Sequence, residues 1–224
     1  MSNSIIYPYN VIIFDLDGTL LNTEIGVIES VEFTIRALGF EELSYSELRK
    51  FIGPPIQESF RSRYSLDDVL TIKATEVFRD RYKNQGIYQA SEYVGMKNTL
   101  IKLHELGFLL AVATFKRQDY AIKMLEHFGY KDYFVCIFGS EEGKNLSKQD
   151  IVQNCIEFIN RPTVTDHLLI GDSLYDSVGA NAAGIDFLGV TYGFGFQTKT
   201  EVLEAGAVFV AETPLDISDF LLNP

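Results

Sequence analysis

Six short runs of apolar residues, most of them closed by a polar residue, recur along the chain. The runs are nearly unbroken rather than alternating, which is typical of strands buried on both faces of a parallel sheet. They lie at residues 10–15, 108–114, 133–140, 166–172, 186–193 and 207–211. Apolar residues at helical spacing lie between or after the later runs, at residues 118–128, 147–159, 176–183, 198–205 and 214–222. This alternation predicts a doubly wound α/β fold with a parallel sheet.

One long segment, residues 22–89, has no convincing strand pattern. Its apolar residues follow helical spacing in four stretches, at 23–38, 45–52, 55–64 and 66–85. The segment is too long for a connection between a strand and a helix. We therefore expect two domains: a Rossmann-like α/β core of residues 1–21 and 90–224, and an inserted all-helical cap of residues 22–89.

Acidic side chains that could bind a metal or take part in catalysis lie where two of the predicted strands end. Asp15 and Asp17 follow the first strand in the sequence IIFDLDGTL, and Asp172 and Asp176 follow the fourth in GDSLYD. In open α/β sheets the carboxyl ends of the strands form the ligand-binding edge. Four carboxylates at one edge need a cation, and hard oxygen ligands favour Mg²⁺.

Two more side chains fall at the same edge, and the set suggests phosphoryl transfer. Thr114 ends the second strand and Lys148 begins the helix after the third. A carboxylate beside Mg²⁺ can attack phosphorus, and a second carboxylate two residues on can act as acid and base. A lysine and a hydroxyl can hold the phosphoryl oxygens. Gly18 permits an unusual φ angle or a close backbone approach.

DLDGT, a strand-end Thr, a Lys and GDxxxD, in that order, resemble the haloacid dehalogenase-like superfamily over nearly the whole chain. The helical insert resembles the C1 cap, and IGPPIQESF (residues 52–60) is similar to a cap loop of the phosphoglycolate phosphatase-like group. In that group, the segment that carries the conserved lysine is similar to residues 139–152. This alignment matches Lys148 and not Lys144, although Lys144 is a competing candidate.

The resemblance implies a role for each matching residue. Asp15 is implied to be the nucleophile and a Mg²⁺ ligand, and Asp17 the general acid and base, with its backbone carbonyl on the metal. Thr114 and Lys148 are implied to bind the phosphoryl group, and Asp172 and Asp176 to hold the metal or its water. The expected substrate contacts are Gly18, Thr19, Phe115, Lys116 and the turn of Gly53, Pro54 and Pro55. Three of these assignments have a second interpretation: Asp176 could be only a helix N-cap, Lys116 could be exposed to solvent, and the turn could be a plain connection between helices.

The composition and charge of the chain limit the kinds of partner that it is expected to bind. The 224 residues carry a net charge of −12, which argues against nucleic acid or an anionic membrane as partner. The N-terminus lacks a basic start and a long apolar run, and no stretch approaches a membrane span. We expect a cytoplasmic protein, a monomer or homodimer, that acts on a small-molecule phosphate ester. Cys136 and Cys155 are expected to be buried, reduced thiols.

Several other activities are less compatible with the sequence. A dehalogenase would lack the second acid of the first motif, which is Asp17 here. A phosphoglucomutase-like enzyme would carry His where this chain has Val27, and a phosphonatase would need a cap lysine near the site. A binding protein with a retained fold would not need intact acids. Phosphoglycolate, a nucleoside monophosphate and a sugar phosphate all stay open as substrates.

Overall fold

The computed structural model describes residues 8–141, 143–144, 146–160 and 166–222. The described residues do not include 1–7 and 223–224, at the two ends of the predicted core. They also do not include 142, 145 and 161–165. The described part of the chain contains eight strands and ten α-helices. The strands are β1 (Val11–Phe14), β2 (Leu21–Asn22), β3 (Ser91–Glu92), β4 (Leu109–Arg117), β5 (Phe134–Ser140), β6 (His167–Gly171), β7 (Asp186–Val190) and β8 (Phe209–Ala211).

The helices occupy two parts of the sequence. Four lie between β2 and β3: α1 (Glu24–Leu38), α2 (Tyr45–Leu48), α3 (Ile56–Tyr64) and α4 (Asp68–Asn84). Six follow β3: α5 (Met96–Glu105), α6 (Gln118–His127), α7 (Lys148–Ile159), α8 (Leu174–Ala183), α9 (Lys199–Glu204) and α10 (Pro214–Leu222). Short 3₁₀ turns span Arg49–Phe51, Gly86–Tyr88 and Lys131–Tyr133.

Six strands form one parallel sheet in the order β5-β4-β1-β6-β7-β8. The chain starts at the centre of the sheet, because Val11 of β1 pairs with Leu109 on one side and His167 on the other. Alternate residues of β1 enter different cores: Ile12 and Phe14 on one face, Val11 and Ile13 on the other. Helices cover both faces, which explains why the predicted strands are apolar throughout. The doubly wound parallel fold is confirmed.

All six predicted core strands and all five predicted core helices are present, with ends that differ by a few residues. Helix α5 has no counterpart among the predicted elements. The four predicted helical stretches of the insert correspond to α1–α4, and the second of them continues into the 3₁₀ turn Arg49–Phe51. Cys136 and Cys155 are buried and free, as predicted. None of the described helices is both long and apolar enough to cross a membrane.

A small antiparallel ribbon lies where the helical segment leaves and rejoins the core. Leu21 of β2 pairs with Glu92 of β3, and Asn22 pairs with Ser91. Between Thr23 and Ala90, a range that is described in full, all regular structure is helical. The two connections between the helical segment and the core are therefore paired with each other as strands.

Candidate active site

Asp15 lies immediately after the central strand β1 and is held on both sides. Its N–H donates to the carbonyl of Ile170 in the neighbouring strand at 2.8 Å. Its carboxylate oxygen Oδ1 accepts from Nζ of Lys148 at 2.6 Å. The same ammonium lies 2.7 Å from Oδ1 of Asp176. Lys148 therefore joins the end of β1 to the first turn of α8 through two buried ion pairs.

Lys148 and the competing Lys144 have different environments. Lys148 is the first residue of α7, and its side chain is 5% exposed. Gly179 of α8 gives it room, since a Cβ there would lie 2.6 Å from Cγ of Lys148. Lys144 has a side chain that is 58% exposed and pairs with Glu141 at 2.8 Å. The structure thus brings Lys148, and not Lys144, to the carboxylates.

Asp172 and Asp176 enter the same space from the end of β6 and the start of α8. Oδ2 of Asp172 accepts from the backbone N–H groups of Phe194, at 2.7 Å, and Gly195, at 3.1 Å. Oδ2 of Asp176 accepts from Oγ and N–H of Ser173 in a capping box, while Oδ1 contacts Lys148. Asp176 is therefore both an acid of the cluster and part of a helix cap.

Glycines bring the backbone close to these acids. Gly18 has φ +82°, and a Cβ on it would lie 2.2 Å from Oδ2 of Asp172. A Cβ on Gly193 would lie 2.4 Å from the same oxygen. Both positions need glycine, because any side chain would collide with Asp172. The turn after β1 and the loop after β7 can therefore both approach Asp172.

Asp15, Asp172 and Asp176 together make a candidate metal site. One carboxylate oxygen from each lies within 4.8 Å of the others, and all three residues are buried. Burial raises the pKa of Asp15 to about 7, against the charge of Lys148, and the charges of Asp176 and Asp17 add to this rise. Burial, Asp176 and Asp15 raise the pKa of Asp172 to about 8. Ionised carboxylates are thus disfavoured here unless positive charge is added.

The charged side chains in and around the three clustered acids indicate how much positive charge the site needs. Four buried carboxylates, those of Asp15, Asp17, Asp172 and Asp176, meet two buried ammonium groups, those of Lys116 and Lys148. Burial alone lowers the pKa of Lys148, but the charges of Asp15 and Asp176 raise it above its usual value, so it stays protonated. With all four carboxylates ionised, two negative charges would remain to be balanced. A divalent cation with oxygen ligands fits this set of donors.

Asp17 is not one of the three clustered acids, and its carboxylate has other partners. Its Oδ1 accepts from Oγ1 of Thr23 at 2.5 Å and from Nζ of Lys116 at 2.9 Å. The side chain of Lys116 is only 7% exposed, so it belongs to the site and not to the solvated surface. Neither the Lys116–Asp17 pair nor the bond from Thr23 is predicted from the sequence.

The end of β4 contributes Thr114 and Phe115. Thr114 is buried, and its Oγ1 accepts from the N–H of Lys116 at 3.2 Å. The Phe115 ring lies 5.6 Å from Nζ of Lys148 and 5.5 Å from the Tyr175 ring. Phe115 therefore lies close to both the Lys148 ammonium and the Tyr175 ring.

A cavity of about 970 Å³ opens beside these residues. Asp17, Phe115, Lys116 and Lys148 line it, and so does the turn of Gly53, Pro54 and Pro55. Gly18 and Thr19 do not line it: Thr19 is fully buried, and its carbonyl accepts from Tyr192. The structure therefore brings the predicted turn of the insert to the cavity, whereas Gly18 and Thr19, like Asp15, Asp172 and Asp176, are not among the residues that line it.

The raised pKa values of Asp15 and Asp172 predict how stability depends on pH when no metal is bound. Each group binds its proton more tightly in the folded chain than in the unfolded chain, where a carboxyl has a pKa of about 4. Their contribution to stability is thus complete below about pH 4 and is lost as the pH rises through about 7 to 8. We expect Asp172→Asn to raise the Tm of the metal-free protein at about pH 8.5 by several degrees, and by less at about pH 5.5.

Thermal unfolding in a chelator at both pH values measures this effect. The amide introduced by Asp172→Asn keeps a carbonyl oxygen that can accept from Phe194 and Gly195, so the loop stays anchored. About 1 kcal/mol corresponds to roughly 2–4 °C in a chain of this size. Added Mg²⁺ should raise the Tm of the unaltered protein, more at the higher pH, and raise that of the variant much less. An equal or lower Tm for the variant at about pH 8.5 would show that Asp172 carries no buried charge.

The profile of one protein family, haloacid dehalogenase-like hydrolase, matches residues 12–190. A 5'-nucleotidase from Pseudomonas aeruginosa is 34% identical over 193 residues, which cover 85% of this chain and 86% of that protein. A phosphoglycolate phosphatase from Vibrio vulnificus is 30% identical over 219 residues, which cover 94% and 95% of the two chains. The crystal structure of a predicted phosphatase from Clostridium acetobutylicum superposes with a TM-score of 0.89 at 34% identity, over 96% of this chain and 99% of that one. The chain belongs to the haloacid dehalogenase-like hydrolase family.

Proposed function

We propose that this hydrolase is a Mg²⁺-dependent phosphatase that cleaves a phosphate monoester of a small metabolite through an aspartyl-phosphate on Asp15. The enzyme is a phosphoric monoester hydrolase. The observation that carries the proposal is the buried Asp15 carboxylate, paired with Lys148 at 2.6 Å and placed next to two further acids. Asp17, which can exchange a proton, lines the adjoining cavity.

The reaction has two steps. In the first, a carboxylate oxygen of Asp15 attacks phosphorus, the bond from phosphorus to the ester oxygen breaks, and Asp17 gives its proton to the leaving alkoxide. In the second, water attacks phosphorus while Asp17 takes its proton, and the bond between phosphorus and Asp15 breaks. Asp15 and the protonated Asp17 are then restored, and the products are an alcohol and inorganic phosphate.

Other residues bind the phosphoryl group and the metal in this scheme. Lys148 stays charged and can contact a phosphoryl oxygen next to Asp15. The hydroxyl of Thr114 accepts from Lys116, so its own hydrogen can donate to a second oxygen. Asp15, Asp172 and the backbone carbonyl of Asp17 would hold Mg²⁺, with Asp176 ordering the metal or its water. When bound, the ion would neutralise the acids and the charge of the phosphoryl group.

The charge of the cavity supports an anionic substrate. The described residues that line it include six cationic side chains and three acidic ones, although the whole chain carries a net charge of −12. The cationic ones are Arg61, Arg79, Lys116, Arg117, Lys144 and Lys148. A phosphate ester would therefore enter a locally positive space inside an acidic protein.

The helical segment is proposed to be a cap, with domain limits at residues 22 and 89. The β2–β3 ribbon forms its base, and its turn of Gly53, Pro54 and Pro55 reaches the cavity. Gly53 has φ +98°, in the left-handed region that favours glycine, and the chain bends there before it continues into α3. A cap of this kind can exclude water until the aspartyl-phosphate must be hydrolysed.

Two candidate leaving groups differ in size. The phosphoglycolate phosphatase-like assignment predicts a short, two-carbon leaving group. A nucleoside is the second candidate. The cavity, about 970 Å³, favours it because this volume suits a ligand larger than phosphoglycolate. The 5'-nucleotidase relative agrees with this alternative.

A panel of phosphate monoesters, assayed with Mg²⁺ for release of inorganic phosphate, tests the proposal. It includes 2-phosphoglycolate, nucleoside 5'-monophosphates, sugar phosphates and p-nitrophenyl phosphate. The highest kcat/KM identifies the leaving group. Absence of turnover for every ester, from folded protein with Mg²⁺, would contradict a phosphatase.

The proline turn of the cap is expected to influence the choice of substrate. Pro54→Ala combined with Pro55→Ala loosens an edge of the cavity, because proline restricts the backbone. We expect kcat/KM for the best ester of the panel to fall about tenfold, and that for p-nitrophenyl phosphate to fall less, since remote contacts supply specificity. The ratio of the two kcat/KM values is the measurement. An unchanged ratio would show that the turn is only structural.

A further inference from the structure

We propose that Lys116 is a positioning residue for the acid and base Asp17, and that Tyr82 of the helical segment fixes its ammonium group. The inference rests on the proposed function, because it assumes that Asp17 exchanges a proton with the substrate. It gives Lys116 a different role from the substrate contact expected from the sequence.

The first observation is how Asp17 is held. Thr23 and Lys116 both engage the same carboxylate oxygen, Oδ1, at 2.5 and 2.9 Å. None of the described residues donates to the other oxygen, Oδ2, and Asp17 lines the cavity. Two donors on one oxygen fix the plane of the carboxylate, so Oδ2 is the oxygen available to exchange a proton with a leaving group.

The second observation is how Lys116 reaches Asp17. Strand β4 loses its regular pairing with β5 between Ala113 and Arg117. Gly139 of β5 allows the two chains to come close there, since a Cβ on it would lie 2.4 Å from the carbonyl of Lys116. The irregular end of β4 therefore accompanies a lysine side chain that enters the site instead of the solvent.

The third observation is the contact with the helical segment. Nζ of Lys116 lies 4.6 Å from the centre of the Tyr82 ring, on α4. This ring is fully buried, stacked on Phe78 at 5.4 Å and packed against Tyr120 of the core at 5.9 Å. The attraction between a cation and an aromatic face is stronger when both are shielded from water, as they are here. Tyr82 thus contacts the same ammonium group that pairs with Asp17.

Lys116 contacts Asp17 through an ion pair at 2.9 Å and Tyr82 through its ring at 4.6 Å, which suits a positioning role. Because Tyr82 belongs to the helical segment, the orientation of Asp17 depends on that segment being seated against the core.

Comparison of kcat/KM for two esters of similar size shows whether Lys116 positions the acid or binds the phosphoryl group. p-Nitrophenyl phosphate has a leaving group that departs as a stable anion, whereas benzyl phosphate needs a proton from the acid. We expect Lys116→Met to lower kcat/KM for benzyl phosphate by about a hundredfold, and that for p-nitrophenyl phosphate by less than about fivefold. Lys116→Arg, which keeps a charged donor, should recover most of the loss for benzyl phosphate.

Lys148→Met is the matched comparison, because that lysine faces Asp15. It should lower kcat/KM for both esters by similar factors and weaken inhibition by inorganic phosphate, which Lys116→Met should leave nearly unchanged. A parallel fall for both esters in Lys116→Met, with weaker phosphate inhibition, would overturn the proposal and make Lys116 a phosphoryl ligand. No effect on either ester would overturn it as well.

Tyr82 provides the second pair of variants, in case Lys116→Met is too unstable to assay. Tyr82→Leu removes the ring and Tyr82→Phe keeps it. Tyr82→Leu should therefore lower kcat/KM for benzyl phosphate more than Tyr82→Phe does, and more than it lowers kcat/KM for p-nitrophenyl phosphate. Equal effects of the two substitutions would contradict the role of the ring. Absence of turnover for every ester of the panel, these two included, means that the proposed function fails and that this inference fails with it. Unselective losses in an active enzyme overturn this inference alone.

Discussion

Asp15→Asn is expected to lower turnover of every phosphate ester by at least about a thousandfold while leaving the fold intact. Asn cannot form an acyl phosphate, so the first step of the proposed mechanism has no nucleophile. A thousandfold loss corresponds to about 4 kcal/mol of transition-state stabilisation. The fold should persist because an amide oxygen can still accept from Lys148, and because burial already disfavours the ionised carboxylate.

Three measurements check this prediction. kcat is measured on p-nitrophenyl phosphate and on the best ester of the panel, and Tm confirms folding. The control is Asp132→Asn, an exposed aspartate in the turn Lys131–Tyr133, which should keep the full rate. Beryllium trifluoride, which mimics a phosphoryl group on a carboxylate, should inhibit the unaltered enzyme in the presence of Mg²⁺. Retention of a substantial rate by Asp15→Asn would mean that another group attacks phosphorus.

Removal of divalent metal is expected to abolish activity, and Mg²⁺ is expected to restore it where Ca²⁺ does not. Four buried carboxylates face two ammonium groups, so without a divalent ion Asp15 is partly protonated near pH 7 and cannot attack phosphorus efficiently. Mg²⁺ requires octahedral ligands at about 2.0–2.1 Å, whereas Ca²⁺ takes more oxygens at about 2.3–2.6 Å. A site that adapts to Ca²⁺ would hold both oxygens of Asp15.

The experiment dialyses the enzyme against chelator and then adds one ion at a time, with turnover and Tm as readouts. Both Mg²⁺ and Ca²⁺ should raise Tm, because both neutralise the acids, but only Mg²⁺ should restore turnover. Ca²⁺ added to the Mg²⁺-loaded enzyme should inhibit. Full activity after exhaustive chelation would exclude a metal role for Asp172 and Asp176.

The sheet and its acids could be predicted because their signals are local. An apolar run followed by Asp15, Thr114 or Asp172 identifies both a buried strand and its functional end. Helix α5, which is absent from the predicted elements, also has a local signal, because Met96, Leu100 and Leu103 follow helical spacing and are buried. The ribbon of β2 and β3 is different, because two residues per strand are too few to show any period.

The groups that hydrogen-bond to the acids or form ion pairs with them come from segments that are distant in the sequence. Asp172 is held by the N–H groups of Phe194 and Gly195, and backbone groups leave no mark on side-chain composition. The only local hint is the glycine pattern of the sequence YGFGF at 192–196. The pair of Lys116 and Asp17 depends on the irregular end of β4. Such pairs are decided by how strands and helices pack, which one sequence does not show.

The central place of β1 in the sheet has a consequence for how the chain is made. Among the described residues Val11 pairs with Leu109 and His167, both far along the sequence, so β1 leaves the ribosome long before either neighbour exists. The helices between β2 and β3 are synthesised during that wait and can form from local contacts, which are the fastest to close. We expect nascent chains that end before β4 to contain a helical segment already formed, with an unpaired apolar strand in front of it. Such chains would depend on chaperones more than the finished protein does.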